Sequence, residues 1–328
     1  MKQILNISGV QIFNLLMNPY RRSNNYINLA NNFYINGEYK KSIDALNKAL
    51  KFENTDEKYI EIYLDASQIY FELKQYYLAI KTYNRIIYRF GEVLQAYYGI
   101  GVMYDFLNEF KLAEKYYKKS IKIDGNFREG YFFLADLYDR NGLIEDAIKA
   151  YKKTVEKFPL DYMAYNNLGS IYEIKGEYNL ALYNFKKSVE IEKDYFRSNF
   201  NLGIAYDRLN RYDEALIYYY RALDLNPKYQ DIYLNISALY ISKNLFFDSI
   251  KILSKGILES DSTYNLYYNR ACVFIKLNEV SKSFEDLKKA LDEKPDLVNY
   301  LKTDDDFKDY RNNKEFKNIL KRGKNNED

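Results

Sequence analysis

Residues 165–191 read YNNLGSIYEIKGEYNLALYNFKKSVEI, and residues 199–225 read NFNLGIAYDRLNRYDEALIYYYRALDL. An offset of 34 residues sets Leu168 on Leu202, Gly169 on Gly203, Tyr172 on Tyr206, Tyr178 on Tyr212, Ala181 on Ala215 and Phe185 on Tyr219. A fixed period of this length decides the architecture before local propensity does. Within each copy, Tyr165, Leu168, Gly169 and Tyr172 fall at helical spacing. Tyr178, Ala181, Leu182, Phe185 and Val189 do so again after Lys175-Gly176, which predicts two amphipathic helices joined by a short turn.

The period runs through most of the chain. The small residue at Gly169 recurs as Ala30, Ser67, Gly101, Ala135, Gly203, Ser237 and Ala271. Twelve residues beyond each lies a second small residue: Ser42, Ala79, Ala113, Ala147, Ala181, Ala215, Ser249 and Ser283. An aromatic follows each first small residue by three positions, from Phe33 to Phe274, and Tyr26, Tyr63, Tyr97, Tyr131, Tyr165, Tyr233 or Tyr267 precedes it by four, with Asn199 the departure. The first unit is three residues longer, near Asn54 to Lys58. Gly37, Gly142 and Gly176, or Asn108, Asn210, Asn244 and Asn278, sit where a left-handed residue ends a helix. Pro159, Pro227 and Pro295 follow second helices.

This pattern of aromatic, Leu-Gly, Tyr, Ala-x3-Phe and Pro resembles the tetratricopeptide repeat, with Tyr in place of the usual Trp. The resemblance implies an all-α, right-handed superhelical α-solenoid. Eight repeats begin near residues 23, 60, 94, 128, 162, 196, 230 and 264 and fill 23–297. Residues 1–22 are expected to form a short N-terminal capping helix, and 298–328 a C-terminal cap with a fraying tail. The cap's apolar face would come from Leu297, Tyr300, Leu301, Phe307, Tyr310, Phe316, Ile319 and Leu320. The periodic positions also assign many of the 38 tyrosines to the core rather than to a ligand surface.

Composition narrows the function. The chain has 49 basic and 46 acidic residues, a formal charge of +3, so no strong field draws it to nucleic acid or an anionic membrane. The recurring pairs Lys118-Lys119, Lys152-Lys153, Lys186-Lys187 and Lys288-Lys289 read as a solvated outer face, with a phosphate-binding stripe as the competing reading. There is no histidine, and Cys272 alone represents cysteine. Disulfides, Cys-rich zinc sites and every Ser-His or Cys-His nucleophile are thereby excluded. Cys272 follows Ala271 on a first helix and reads as a packing residue. No Gly-rich phosphate loop or cofactor fingerprint is present, so neither enzyme activity nor a cofactor or metal is expected.

At the N-terminus, Asn6, Ser8, Gln11 and Asn14 interrupt an apolar stretch. That favours a cap over a secretory leader, and a cytoplasmic location with it. No run of about 20 apolar residues exists to span a membrane.

In the family the first helices line the concave groove, and the residue before the Leu of Leu-Gly points into it. Here that residue is Asn167, Asn201, Asn235 and Asn269 in four successive repeats, with Asn28 in the first; Asp65, Gly99 and Phe133 interrupt the series. An asparagine amide can grip both the C=O and the N–H of an extended peptide. The series is similar to the asparagine ladder of O-linked N-acetylglucosamine transferase, which implies main-chain binding; chance enrichment of asparagine is the competing account. Further along, Asp105, Asp139, Glu173 and Asp207 recur, with Arg140 and Arg208 directly after two of them. These acids imply selectivity for a basic segment, or else a solvated edge. Leu64, Tyr98, Phe132 and Phe200 occupy the positions where a carboxylate clamp needs lysine, and are expected to receive apolar side chains.

The expected function is a non-enzymatic scaffold that binds an extended or helical segment of another protein, with Asn167, Asn201, Asn235 and Asn269 on the main chain and Asp139, Glu173 and Asp207 giving selectivity. A self-associating assembly component and a detached targeting subunit of a protein glycosyltransferase are the alternatives.

Overall fold

The computed structural model describes residues 19–53 and 55–322 of the chain. Every regular element among them is helical. The chain divides into two packing units, Met1–Pro159 and Leu160–Asp328. In the first, α1 (Pro19–Ile35) pairs with α2 (Tyr39–Ala49), α3 (Asp56–Glu72) with α4 (Tyr76–Phe90), α5 (Leu94–Phe106) with α6 (Phe110–Ile123) and α7 (Arg128–Arg140) with α8 (Ile144–Lys157). In the second, α9 (Tyr162–Ile174) pairs with α10 (Tyr178–Ile191), α11 (Phe196–Arg208) with α12 (Tyr212–Leu225), α13 (Gln230–Ser242) with α14 (Phe246–Glu259) and α15 (Tyr264–Lys276) with α16 (Val280–Glu293). The expected helix-turn-helix repeats are thus all present.

Two small residues bring each pair together. Ala79, Ala113, Ala135, Ala147, Ala181, Ala215 and Ala271 are completely buried. At most of the serine positions the hydroxyl crosses the seam: Ser42 Oγ donates to Ala30 O at 2.7 Å, Ser283 Oγ to Ala271 O at 2.9 Å, and Ser237 and Ser249 share a bond of 2.8 Å, whereas Ser67 donates to Tyr63 O of its own helix at 2.8 Å. Beside this seam an aromatic of the second helix lies flat on the first. A Cβ at Gly169 would come within 2.6 Å of Phe185, and one at Gly203 within 2.5 Å of Tyr219. Hydrogen takes the place of a side chain there because a ring fills the space.

Each hairpin turns on a left-handed residue: Gly37, Lys74, Asn108, Gly142, Gly176, Asn210, Asn244 and Asn278. The amide of that residue bonds the carbonyl three positions back, and the next amide bonds the carbonyl five positions back, as in Asn210 N to Asp207 O and Arg211 N to Tyr206 O. Two otherwise unsatisfied helix-end carbonyls are closed in this way. Lys74 at φ 55° was not among the turn residues expected from sequence.

Beyond α16 lie α17 (Leu297–Leu301), a 3₁₀ turn (Asp305–Tyr310) and α18 (Lys314–Arg322). Their Val298, Leu301, Phe307, Phe316 and Ile319 are buried in one cluster with Phe284, Leu287 and Leu291 of α16. At the other end α1 starts at Pro19, so residues 19–22 belong to the first repeat helix. The N-terminal cap expected upstream falls outside the described residues. Ser23 of α1 donates to buried Glu53 at 2.9 Å, and Glu53 also accepts from Thr55 N at 3.0 Å, so the longer connection after α2 is tied back to the first helix of its repeat.

Candidate partner-binding faces

In the first unit, a cleft of about 510 Å³ opens between the first helices α5 and α7. Tyr98, Val102, Phe106 and Phe133 wall it, and Asp105, Asp136 and Arg140 supply its charge. The Tyr98 and Phe133 rings sit 5.9 Å apart, with Tyr117 behind Phe133 at 6.4 Å. Arg140 reaches back to the preceding repeat: its Nη2 lies 2.6 Å from Asp105 Oδ2, while its Nε lies 2.7 Å from Asp136 Oδ2. Tyr117 donates its hydroxyl to the same Asp105 oxygen at 3.1 Å. One guanidinium therefore faces two carboxylates. Asp139, next to Arg140 in sequence but not part of the cleft lining, is half-buried and outside any ion pair among the described residues. Burial first, and then Asp136, push its carboxyl above the usual range, against the pull of Arg140. The balance is acidic, set among aromatic rings.

The asparagine register lies wholly in the second unit. All four residues are half-buried and already hydrogen-bonded within the chain. Asn201 Nδ2 donates to Asn166 Oδ1 at 3.0 Å, across the boundary between repeats. Asn167 Oδ1 accepts from Asn166 Nδ2 at 3.3 Å. Asn235 and Asn269 instead donate to backbone carbonyls one turn earlier, Asp231 O and Asn265 O, each at 2.8 Å. The four share a register but not a bonding pattern. Asn28, in the other unit, is exposed.

Of the acids in this unit, Glu173 accepts from Arg208 of the following repeat at 3.2 Å, the counterpart of the Asp105–Arg140 bridge. Asp207, like Asp139, is pushed upward chiefly by burial. Of the expected apolar receptors, Tyr98 lines the cleft, Leu64 packs into the core beside Ile80, and Phe132 stands edge-on to Tyr151 at 6.1 Å. Phe200 corrects the expectation: it is buried against Tyr219 and Tyr229, at 5.7 and 5.4 Å, and belongs to the core.

Three participants escaped the sequence reading. Phe133 interrupts the asparagine register yet forms a cleft wall. Asp136 lies one residue past Ala135, where neighbouring repeats carry uncharged residues. Asn166 is buried, and its Oδ1 joins Ser198 at 3.2 Å to Asn201, a network invisible to periodicity because it spans adjacent positions of two repeats. Cys272 behaves as expected of a packing residue: burial, then Asp304 and Asp306, push its thiol far up and keep it protonated. No group of three or more Cys, Asp or Glu side chains among the described residues is arranged to hold a metal ion.

Sequence profiles for the tetratricopeptide repeat match residues 60–90, 94–127, 129–156, 161–228 and 264–297, together more than half of the chain. The chain belongs to the tetratricopeptide repeat family. Among solved structures, the C-terminal part of a tetratricopeptide-containing protein from Cytophaga hutchinsonii superposes with a TM-score of 0.59 at 17% identity, covering 71% of this chain and 95% of that one. The Cut9–Hcn1 tetramer of APC/C gives 0.52 at 18% identity, over 95% of this chain and 58% of that one. MamA is 28% identical with a TM-score of 0.46, over 49% of this chain and 94% of that one. These likenesses are of fold. No curated protein matches the chain. Among the described residues, no helix of this tetratricopeptide array is long and apolar enough to cross a membrane.

Proposed function

We propose that this tetratricopeptide array is a non-enzymatic scaffold whose first-helix faces bind an extended or helical segment of a partner protein, with preference for a segment carrying Lys or Arg beside an apolar side chain. The cleft between α5 and α7 carries the reading. Its aromatic walls suit an apolar side chain or a long aliphatic stem, and its acidic surplus over Arg140 suits the cation at the end of one. In the second unit, taken by itself, Asn235 and Asn269 lie on first helices with amides of both donor and acceptor character, and Asp207 supplies a carboxylate.

The test is fluorescence anisotropy with labelled peptides of alternating Lys and Leu, beside the same peptides with Gln for Lys. The Lys peptide should bind more tightly, and Phe133→Ala with Asp136→Asn should weaken it about tenfold, the effect of roughly 1.4 kcal/mol. Equal binding of the two peptides, or no loss in the double variant, overturns the proposal.

A further inference from the structure

The second helices carry a surface of opposite sign. In the second unit, a cleft of about 360 Å³ lies between α10 and α12, floored by Tyr206 and Tyr218 and ringed by Lys186, Lys193 and Arg221. The two rings stack 5.5 Å apart at 16°. Lys186 Nζ sits 5.5 Å from the Tyr206 ring centre, so its ammonium is held over the cleft rather than swung into solvent. Lys186, Lys193 and Arg221 form no ion pair among the described residues, while Glu190 at the rim is taken by Lys187 at 2.8 Å. One repeat later, a second cleft of about 310 Å³ is lined by Tyr220, Tyr240, Lys251 and Lys255, with Asp248 and Ile252. Tyr240 stands where Tyr206 does, and Lys255 where Arg221 does.

We infer that these two clefts of the second unit bind an acidic, extended segment of a partner protein, one carboxylate per cleft, at a surface distinct from the first-helix face. Charge complementarity commits the occupant: several uncompensated cations converge on two aromatic floors. Spacing refines it. The clefts recur once per repeat, and an extended chain advances about 3.3 Å per residue, so carboxylates set several residues apart suit successive clefts. Glu190 and Asp248 line the same clefts. They oppose a continuous phosphate backbone but leave room for spaced carboxylates.

The probe is a labelled peptide of repeating Glu-Leu-Ser, titrated with the full chain and followed by anisotropy, beside its Gln-Leu-Ser counterpart and a labelled single-stranded oligothymidylate. The Glu peptide should bind, and more weakly as salt is raised, while the Gln peptide should not. Lys186→Gln with Arg221→Gln should reduce affinity about tenfold, the worth of two exposed charge pairs. Should that variant lose helicity by circular dichroism, Lys251→Gln with Lys255→Gln, both on exposed side chains, must show the loss instead. Equal binding of the Gln peptide, unchanged affinity in a folded variant, or tighter binding of the oligonucleotide overturns the inference.

Discussion

Asn201 and Asn235 occupy one register position, yet their amides answer to different partners. Asn201 points into a buried acceptor on the previous repeat, whereas Asn235 bonds a carbonyl its own helix already uses. Replacing Asn201 with Ala should cost about 1 kcal/mol. Asn235→Ala and Asn269→Ala should stay within about 0.5 kcal/mol. Denaturant midpoints of the three variants decide, and a cost at Asn235 equal to that at Asn201 would make the whole register structural. Asp139 and Asp207 carry the complementary sign. Both sit in the last turn of a helix, where the macrodipole disfavours a carboxylate, and both are raised by burial. A raised carboxyl favours folding below the ordinary aspartate value, and that contribution disappears as pH rises through the raised value. Asp139→Asn and Asp207→Asn should therefore leave the melting temperature at neutral pH unchanged or higher. Basic-peptide affinity should fall as pH drops through the raised values, starting above the range of an ordinary aspartate and vanishing as a trend in the double variant. An anisotropy titration across pH reads this directly. Residue types and their spacing were legible in the sequence; the bonds were not. A 34-residue period reports which face a side chain occupies, but Asn166 acts through Ser198 and Asn201 of the next repeat, which depends on stacking, and Asp136 acts through Arg140, which in turn reaches Asp105 of the preceding repeat.

At the level of the hairpin, sequence and structure agree closely because the determinants are local. Glycine or asparagine at the turn and small residues at the seam act within one helix pair. Lys74 is the exception. It takes φ 55°, where a side chain crowds the following carbonyl, and makes the same turn bonds as its counterparts. Lys74→Gly should stabilise the chain by up to about 1 kcal/mol through relief of that crowding. A lower denaturation midpoint would show instead that the lysine side chain anchors the turn. Lysine gives no turn signal; only the constant length between Ser67 and Ala79 marks the place.

Across the whole chain, the period continues unbroken past Pro159, yet packing divides there into two units. Each repeat contacts chiefly its neighbours, so the pattern records that hairpins recur without recording which of them group into one unit. The end of the array is better marked, because period and apolar spacing change together after Leu297. Deleting residues from Leu297 onward would bare Phe284, Leu287 and Leu291 of α16, each now 2% exposed or less. Burial of the five large cap side chains is worth on the order of 5 kcal/mol or more to the last repeat. Its amides should then exchange with solvent first, and the mass in sedimentation should rise with concentration. A truncated chain that stays monomeric at every concentration would show the cap to be dispensable.

That cap has a consequence for growth. A stack of like units ends in a face that suits the beginning of another stack, and head-to-tail joining of unlike faces gives an open filament whenever the rotation fails to close. Phe307 and Phe316, with ring centres 5.8 Å apart, are buried in one cluster with Phe284, Leu287 and Leu291 of α16 and so cover the apolar face that α16 would otherwise present. With that face covered, a further hairpin has no bare apolar surface of α16 on which to stack.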